Sequence, residues 1–418
     1  MSDAVAEHDP RRLRDEPDFR RYWWARLLSS AGTIVSYIAL PVLVYRLSGS
    51  AVLTAAVSAL ETASYVVVGL FAGALSDRWD RRRIMVVADC VDAVVMASVP
   101  VAHWLGVLTI AHLLAVAVVV PAVAVFFDGA NFGAMPLLVG RDRIARANAA
   151  VFGAATAVEI VLPSVVGIAL AVVYPATMLA VDALSYAASA AFILTIHTAM
   201  YDRSRARQPL SARLLVAEIM EGLRYLAAHV GVRTMTLVGS LQSAAGAGFV
   251  ALMVVWCDRV LGIGTAGLRF GLVFSSWSVG GLVATVALPR LLRTATPARI
   301  TLRALPVSAL IGIATACTTS WQLAAVGLFG WSCAYTMVVV NAISYRQQVT
   351  PEHLLSRVNT AGRMLSWGVG GTVGAAMAGS LESLAGIRPA LVVVASLTLV
   401  GVAIAWASPL RTGSVPLG

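Results

Sequence analysis

GALSDRWDRRR, residues 73–83, lies between two apolar stretches, 51–75 and 84–104, each long enough to cross a bilayer. A short loop with four arginines and two aspartates between two such stretches sits at a membrane surface. Its positive charge ties it to one side. Gly73 permits close approach of a neighbouring helix. Asp77 stands at a helix end, where a carboxylate can face the positive N-terminus of a second helix. Arg78, Arg81, Arg82 and Arg83 suit anionic lipid headgroups.

Outward from this loop the alternation of apolar run and basic loop continues. The chain is 59% apolar and 12% charged, against roughly 45–50% and 25% for soluble domains. With about 20 residues per crossing, twelve runs are read: 23–46, 51–75, 84–104, 107–130, 147–173, 176–196, 234–256, 266–289, 301–319, 321–344, 358–382 and 388–408. Each is expected to be a helix, because lipid cannot satisfy free backbone groups. The formal charge of +10 would suit nucleic acid, but the arginines fall in short loops between apolar runs, so that partner is rejected. Arginine crowds the loops on one side, and the other side has few, among them Arg46, Arg259 and Arg388. The positive-inside rule then places both termini in the cytoplasm. The opening segment, MSDAVAEHDPRRLRDEPDFRRYWW, is too polar for a signal peptide, so the first span is expected to be retained.

The expected organisation is a tail (1–21), a six-helix bundle (22–197), a central loop (198–233), a second six-helix bundle (234–408) and a tail (409–418). In the loop, RLLVAEIMEGLRYLAAHVGV (213–232) has apolar residues at helical spacing, with Arg213, Glu218, Glu221 and Arg224 on the other face. That pattern suits a helix lying on the membrane surface or a plain linker helix. The halves echo each other: LVGRDRIARAN (138–148) aligns without a gap to VTPEHLLSRVN (349–359), matching Arg146 to Arg357 and Asn148 to Asn359.

Through Gly73, Leu75, Asp77, Arg78, Arg81, Arg82 and Arg83, the 73–83 loop resembles the signature loop of the major facilitator superfamily. Asp80 stands where many members carry glycine. FRRYWWARLLSSAGTIVSYIALPVLVYRLSGSA (19–51) is similar to the first span of its transmembrane-secretion-effector branch, which includes macrolide-efflux and enterobactin-exporter proteins. MVVADCVDAV, MPLLVGRDRIARANA, VDALSYAASA, EIMEGLRYLAAHVGV and WGVGGTVGAAMAG (367–379) extend the resemblance. Many branch members have an acid after the first-span glycine; here Gly32 is followed by Thr33. The resemblance implies an all-α integral membrane protein with the twelve-helix major facilitator fold, two six-helix bundles related by a pseudo-twofold axis and a site near the midplane. It implies a monomer in the cell membrane, a small organic substrate, no cofactor and a proton gradient as the energy source. It also implies that Asp77 and its arginines latch against the eleventh span.

The acids buried in apolar runs all lie in the first half, the runs after residue 234 having none at comparable depth: Glu61, Asp89, Asp92, Asp128, Glu159 and Asp182. A charge in hydrocarbon costs roughly 2.5–3.5 kcal/mol, so such residues tend to mark ion or proton paths. Glu61 has only Thr62, Ser64 and Tyr65 as polar neighbours in sequence. Desolvation disfavours its charged form, which suits it to cycle protons. Glu159 shares a helix face with Pro163 and Gly167, and the proline frees a carbonyl and bends the helix. Pro163 and Gly167 match the later part of a Gly-Pro element of superfamily antiporters, with Leu162 in place of its glycine. Asp92 and Asp182 are further proton-coupling candidates, Asp182 alternatively a helix-packing hydrogen bonder. Asp89 is expected to pair with Arg81, Arg82 or Arg83, and Asp128 to belong to the cytoplasmic charge network.

The second half offers Gln242, Trp277, Trp331, Tyr335, Asn341 and Trp367, side chains that suit a large amphipathic ligand. Cys90, Cys257, Cys317 and Cys333 form no CxxC pair, and the six histidines show no ligand spacing, so no metal site is expected. No Walker-type phosphate loop or nucleophile constellation is present in the sequence. The reading is a proton-coupled exporter of an amphipathic organic compound, such as a macrolide, another drug, a siderophore or a secondary metabolite. An importer or facilitator on the same fold, and a non-transporting sensor or scaffold, are the alternatives.

Overall fold

A computed structural model describes residues 13–76, 79–200, 212–351 and 354–411. Asp77 and Arg78 lie outside them. Among the described residues every regular element is a helix. The first half comprises α1 (Pro17–Ser48), α2 (Ala51–Ser76), α3 (Arg81–Trp104), α4 (Ile110–Val139), α5 (Ile144–Ala169) and α6 (Pro175–Leu194). A shorter helix, α7 (Ala212–Ala228), precedes α8 (Val230–Arg259), α9 (Leu268–Leu291), α10 (Pro297–Cys317) and α11 (Trp321–Val349). Then come α12 (Leu355–Arg363), a π-helical segment (Met364–Gly370), α13 (Gly371–Ala385) and α14 (Ile387–Ala407).

Eleven of these helices are apolar and long enough to cross a membrane. The remaining crossing is the run 355–385, which the π segment divides into α12 and α13. Counting that run as the eleventh gives twelve crossings. The helix junctions therefore alternate between an arginine-rich end and an arginine-poor end.

Local chemistry sets the boundaries. Pro17 opens α1, where its fixed φ and missing N–H suit the first turn. Gly49 closes it at φ 64°, in the left-handed region. Asp80, the departure from glycine in the basic loop, is the N-cap of α3 and accepts a hydrogen bond from the Arg82 backbone N–H. Thr109 and Thr296 cap α4 and α10 in the same way.

In the first half α6 packs on α1 and α3, and α2 packs on α4. In the second, α8 packs on α13 and α14, and α11 on α9 and α10. Two seams join the halves, α2 with α13 and α5 with α9. A shift of six crossings exchanges the second with the eighth and the fifth with the eleventh. The two seams are thus one contact repeated by the pseudo-twofold axis.

Small residues make these contacts close. A Cβ on Gly271 of α9 would lie 2.5 Å from the Pro163 carbonyl oxygen of α5. The Gly267 N–H donates to the Gly167 oxygen at 2.6 Å. Within the second half, a Cβ on Gly374 would lie 2.0 Å from the Ala244 oxygen of α8. Lipid tails are as apolar as the helices, so such backbone-to-backbone packing supplies association that hydrophobicity cannot.

The helix read from the central loop is α7. It docks on α12 at the arginine-rich end: Glu221 pairs with Arg357, Tyr225 donates to the Val349 oxygen at 2.9 Å, and Gly222 lies against the Arg357 backbone. Leu226 is buried with Val349, Leu354 and Val358.

Candidate transport pathway

The two halves are locked together at the arginine-poor end. Tyr45 of α1 donates to Asp258 of α8 at 2.8 Å and accepts from Arg259 Nε at 3.0 Å. Arg259 also donates to the Gly49 oxygen at 2.6 Å and pairs with Glu382 of α13 at 3.3 Å. Arg46 donates to Thr265 at 3.1 Å. Below this lock, Ser164 and Ser275 share a hydrogen bond across the α5–α9 seam at 2.9 Å, and Thr62 and Thr372 share one across the α2–α13 seam at 3.1 Å. None of Tyr45, Asp258 or Glu382 was singled out in the sequence, because the lock joins residues up to 219 positions apart.

Beneath the lock lies a cavity between the halves. Tyr37 of α1, Glu159 and Pro163 of α5, Met253 of α8, and Phe274 and Trp277 of α9 line it. Trp277 packs on Tyr335 of α11 at 5.3 Å between ring centroids. Glu159 is exposed to this space, and Glu61 of α2 acts electrostatically on Tyr37. Among the described residues neither glutamate has an ion-pair partner. Pro163 has no N–H to give to the carbonyl one turn back, which is that of Glu159 itself. Its own carbonyl meets Gly271, so the bend element sits at the seam as well as at the cavity.

Tyr65, one turn along α2 from Glu61, donates to Asp128 of α4 at 3.2 Å. Arg363 of α12 acts on Tyr65 from the other half. Asp128 is eleven residues inside the end of α4 and exposed; it acts on Tyr22 and Tyr65, the two tyrosines that also feel Arg26.

The second-half candidates divide. Trp277 lines the cavity, and Tyr335 packs on it. Trp331 is fully buried behind them, packed on Trp277 at 5.5 Å and Phe249 at 5.0 Å. Gln242 is buried and donates to Ser308 of α10 at 2.5 Å, so it holds helices together rather than facing ligand. Asn341 is fully buried, and neither atom of its amide has a hydrogen-bond partner. Trp367 is exposed on the π segment, where neighbouring Gly368 rests on Val66 of α2.

Asp89 does not pair with the loop arginines. Arg82 donates to the Leu194 oxygen, Arg83 approaches Asp80 at 3.9 Å, and the Arg81 guanidinium lies under Gly133, where a Cβ would be 2.3 Å from Nε. Asp89 lies about two turns further along α3, roughly 12 Å from Arg81 at 1.5 Å per residue. It is buried instead beside Ser189 of α6, within the field of Arg26. Asp92 and Asp182 are buried with it and act on each other. Asp182 accepts from Ser36 of α1 and, at 3.1 Å, from Ser185.

Paired six-helix halves, glycine seams and a cavity between the halves define a transporter of the major facilitator class rather than an enzyme. The chain belongs to the transmembrane secretion effector family, whose model matches residues 13–415. It is 27% identical over 378 residues to the multidrug efflux pump Tap of Mycolicibacterium fortuitum, covering 87% of this chain and 89% of that protein. It is 25% identical over 386 residues to the multidrug efflux pump Tap of Mycobacterium tuberculosis (strain ATCC 25618 / H37Rv), covering 89% and 88%. The fold is shared with a bacterial homologue of the human lysosomal transporter Spinster in an inward-facing, unoccupied conformation (TM-score 0.73, 14% identity, 97% and 98% of the chains). It is shared also with the nucleoside transporter NupG (TM-score 0.73, 12% identity, 93% and 98%).

Proposed function

We propose that this protein exports amphipathic organic compounds, drugs among them, across the cell membrane in exchange for protons. The observation that carries the reading is the cavity between the halves: Glu159 lines it with Tyr37 and Trp277, Glu61 acts on Tyr37 from beside it, Tyr335 packs on Trp277, and among the described residues neither glutamate has an ion-pair partner. Aromatic walls suit varied flat or amphipathic ligands, and a small number of polar groups suits loose specificity. The similarity to pumps named for multidrug efflux supports the direction and the breadth.

Positive-inside orientation makes the arginine-rich end cytoplasmic, with both termini on that side. The lock of Tyr45, Asp258 and Arg259 then closes the outer face, and the described state takes substrate from the cytoplasm. Protons arriving from outside bind Glu61 or Glu159 once that lock opens. Their binding shifts the balance between the two facing states; a differential of about 1.4 kcal/mol changes the ratio tenfold. Asp77 and the basic loop latch the cytoplasmic side while the outer side is open.

The test is efflux of a fluorescent amphipathic dye from cells expressing the protein. Efflux should collapse with a protonophore, and Glu61→Gln or Glu159→Gln should abolish it at unchanged protein level. Efflux that persists in both variants removes these glutamates as coupling sites. Efflux insensitive to the protonophore removes proton exchange.

A further inference from the structure

Outside the cavity, three carboxyl groups meet in the interior of the first half. Asp89 and Asp92 come from α3 and Asp182 from α6; the first two are 1% exposed and Asp182 0%. Oδ2 of Asp89 and Oδ1 of Asp92 have no hydrogen-bond partner. Ser189 of α6 lies against Asp89, its hydroxyl fully buried and without a well-formed hydrogen bond. From α1 the pocket receives Arg26, whose field reaches Asp89, and Thr33, which faces Tyr186 of α6. The α4 acid, Asp128, acts on Tyr22 and Tyr65. Among the described residues Arg26 is the cation whose field reaches this pocket, and its guanidinium rests on the Phe127 ring at 5.1 Å.

Three carboxylates buried together near a single cation among the described residues cannot all be charged, since like charges at this depth repel strongly. Among the described residues no group of acids, histidines and cysteines is arranged to hold a metal ion. The ligand that fits orphaned carboxyl oxygens here is therefore the proton.

The pocket is mechanically tied to the cavity through α1. Gly32 faces α6 so closely that a Cβ would lie 2.2 Å from Asp182 Oδ1 and 1.9 Å from Ser185 Oγ. Ser36, one turn on, donates to Asp182. The residues between and beside these contacts, Ile34, Tyr37 and Ile38, line the cavity. One face of α1 therefore reads the charge of the carboxyl pocket while the next face forms the ligand wall.

We propose that Asp89, Asp92 and Asp182 form a second proton-binding site, separate from the cavity glutamates, whose occupancy sets the position of α1. Its role in the transport cycle rests on the proton-exchange reading above; its existence does not. Loss of a proton there leaves added charge between α3 and α6 and a stronger pull on Ser36. Gain of a proton relaxes both.

Infrared spectroscopy of the purified full-length protein in lipid tests the site directly, because a protonated carboxyl has a carbonyl band distinct from that of carboxylate. Carbon-13 labelling of aspartate in the wild type shifts the bands of aspartic acids alone, so no variant has to fold. The expected result is an aspartic-acid band at neutral pH, reduced by half or more in Asp92→Asn and Asp182→Asn and kept in Glu61→Gln and Glu159→Gln. A labelled wild type with no aspartic-acid band, or one unaltered in both asparagine variants, overturns the site. Coupling through α1 is read from the labelling rate of Ile34→Cys, which should depend on pH and lose that dependence when Asp182→Asn is added. An unaltered pH dependence overturns the coupling. Protonophore-insensitive efflux with the band present supports the site and removes only the antiport cycle.

Discussion

The phenol of Tyr45 on α1 donates to the carboxylate of Asp258 on α8 at 2.8 Å, and the same oxygen accepts from Arg259 at 3.0 Å. One side chain of the first half is thus held by an acid and a base of the second. Tyr45→Phe deletes both bonds while keeping the ring under the Arg259 guanidinium. At a partly wet surface the loss is about 1 kcal/mol, or about fivefold in the ratio of closed to open outer face. Spin labels on Leu47 and Leu268 should show a larger long-distance population in the variant. An unchanged distance distribution would mean the lock does not hold the closure.

Gly271→Val should break the α5–α9 seam. Its Cβ would be 2.5 Å from the Pro163 oxygen and from Ser164 Cα, and backbone cannot move aside as a side chain can. Efflux should fall at least tenfold with the protein still folded and monodisperse in detergent. Gly330→Ala is the control: its Cβ would stand 3.4 Å from the end of the Ile311 side chain, and activity should be near wild type.

Trp277 and Trp331 touch each other at 5.5 Å but should respond differently to truncation. Trp331 is fully buried, so Trp331→Ala should cost about 3–5 kcal/mol of stability and lower the melting temperature sharply. Trp277 lines the cavity, so Trp277→Ala should raise the dye concentration for half-maximal efflux several-fold with a smaller thermal effect. Equal thermal losses in the two variants would place Trp277 in the core instead.

The docking of α7 on α12 should depend on shape more than charge. Glu221 and Arg357 are both partly exposed, so Glu221→Gln should cost under about 1 kcal/mol. Gly222→Val would drive a Cβ, itself 2.7 Å from the Arg357 oxygen, against backbone. Proteolysis at α7 should accelerate markedly in the second variant and little in the first.

The membrane class and the crossing pattern were legible because hydropathy and arginine placement report directly on the bilayer. The first-half acids were legible as unusual, since each stands in an apolar run. Their partners were not. Asp89 looked close to Arg81–Arg83 along the chain, yet two turns of α3 separate it from Arg81 and turn it toward α6. Gln242 and Trp331 were indistinguishable from Trp277 by sequence: where a helix is apolar on every side, no periodicity says which face meets the cavity. The outer lock was invisible for another reason. Tyr45, Asp258 and Glu382 stand at three separate helix ends, and only folding brings them together. The echo between residues 138–148 and 349–359 was a usable signal, and both copies lead into the first turn of a crossing, α5 and α12.

The π segment at Met364–Gly370 carries one residue more per turn than the α-helix allows it to hide. Returning it to α geometry would rotate everything on one side of it by about 100°, the angle per residue of an α-helix. The outer part of this crossing is pinned to α2, with Gly371 against Thr62 and Gly379 against Ala55. The rotation would therefore fall on the inner part, turning Arg363 and the docked α7 together like a key. The facing switch of this transporter would then include a change of helical register. The modification rate of Trp367→Cys, compared between the two facing states, measures that turn; equal rates would leave the segment a static bulge.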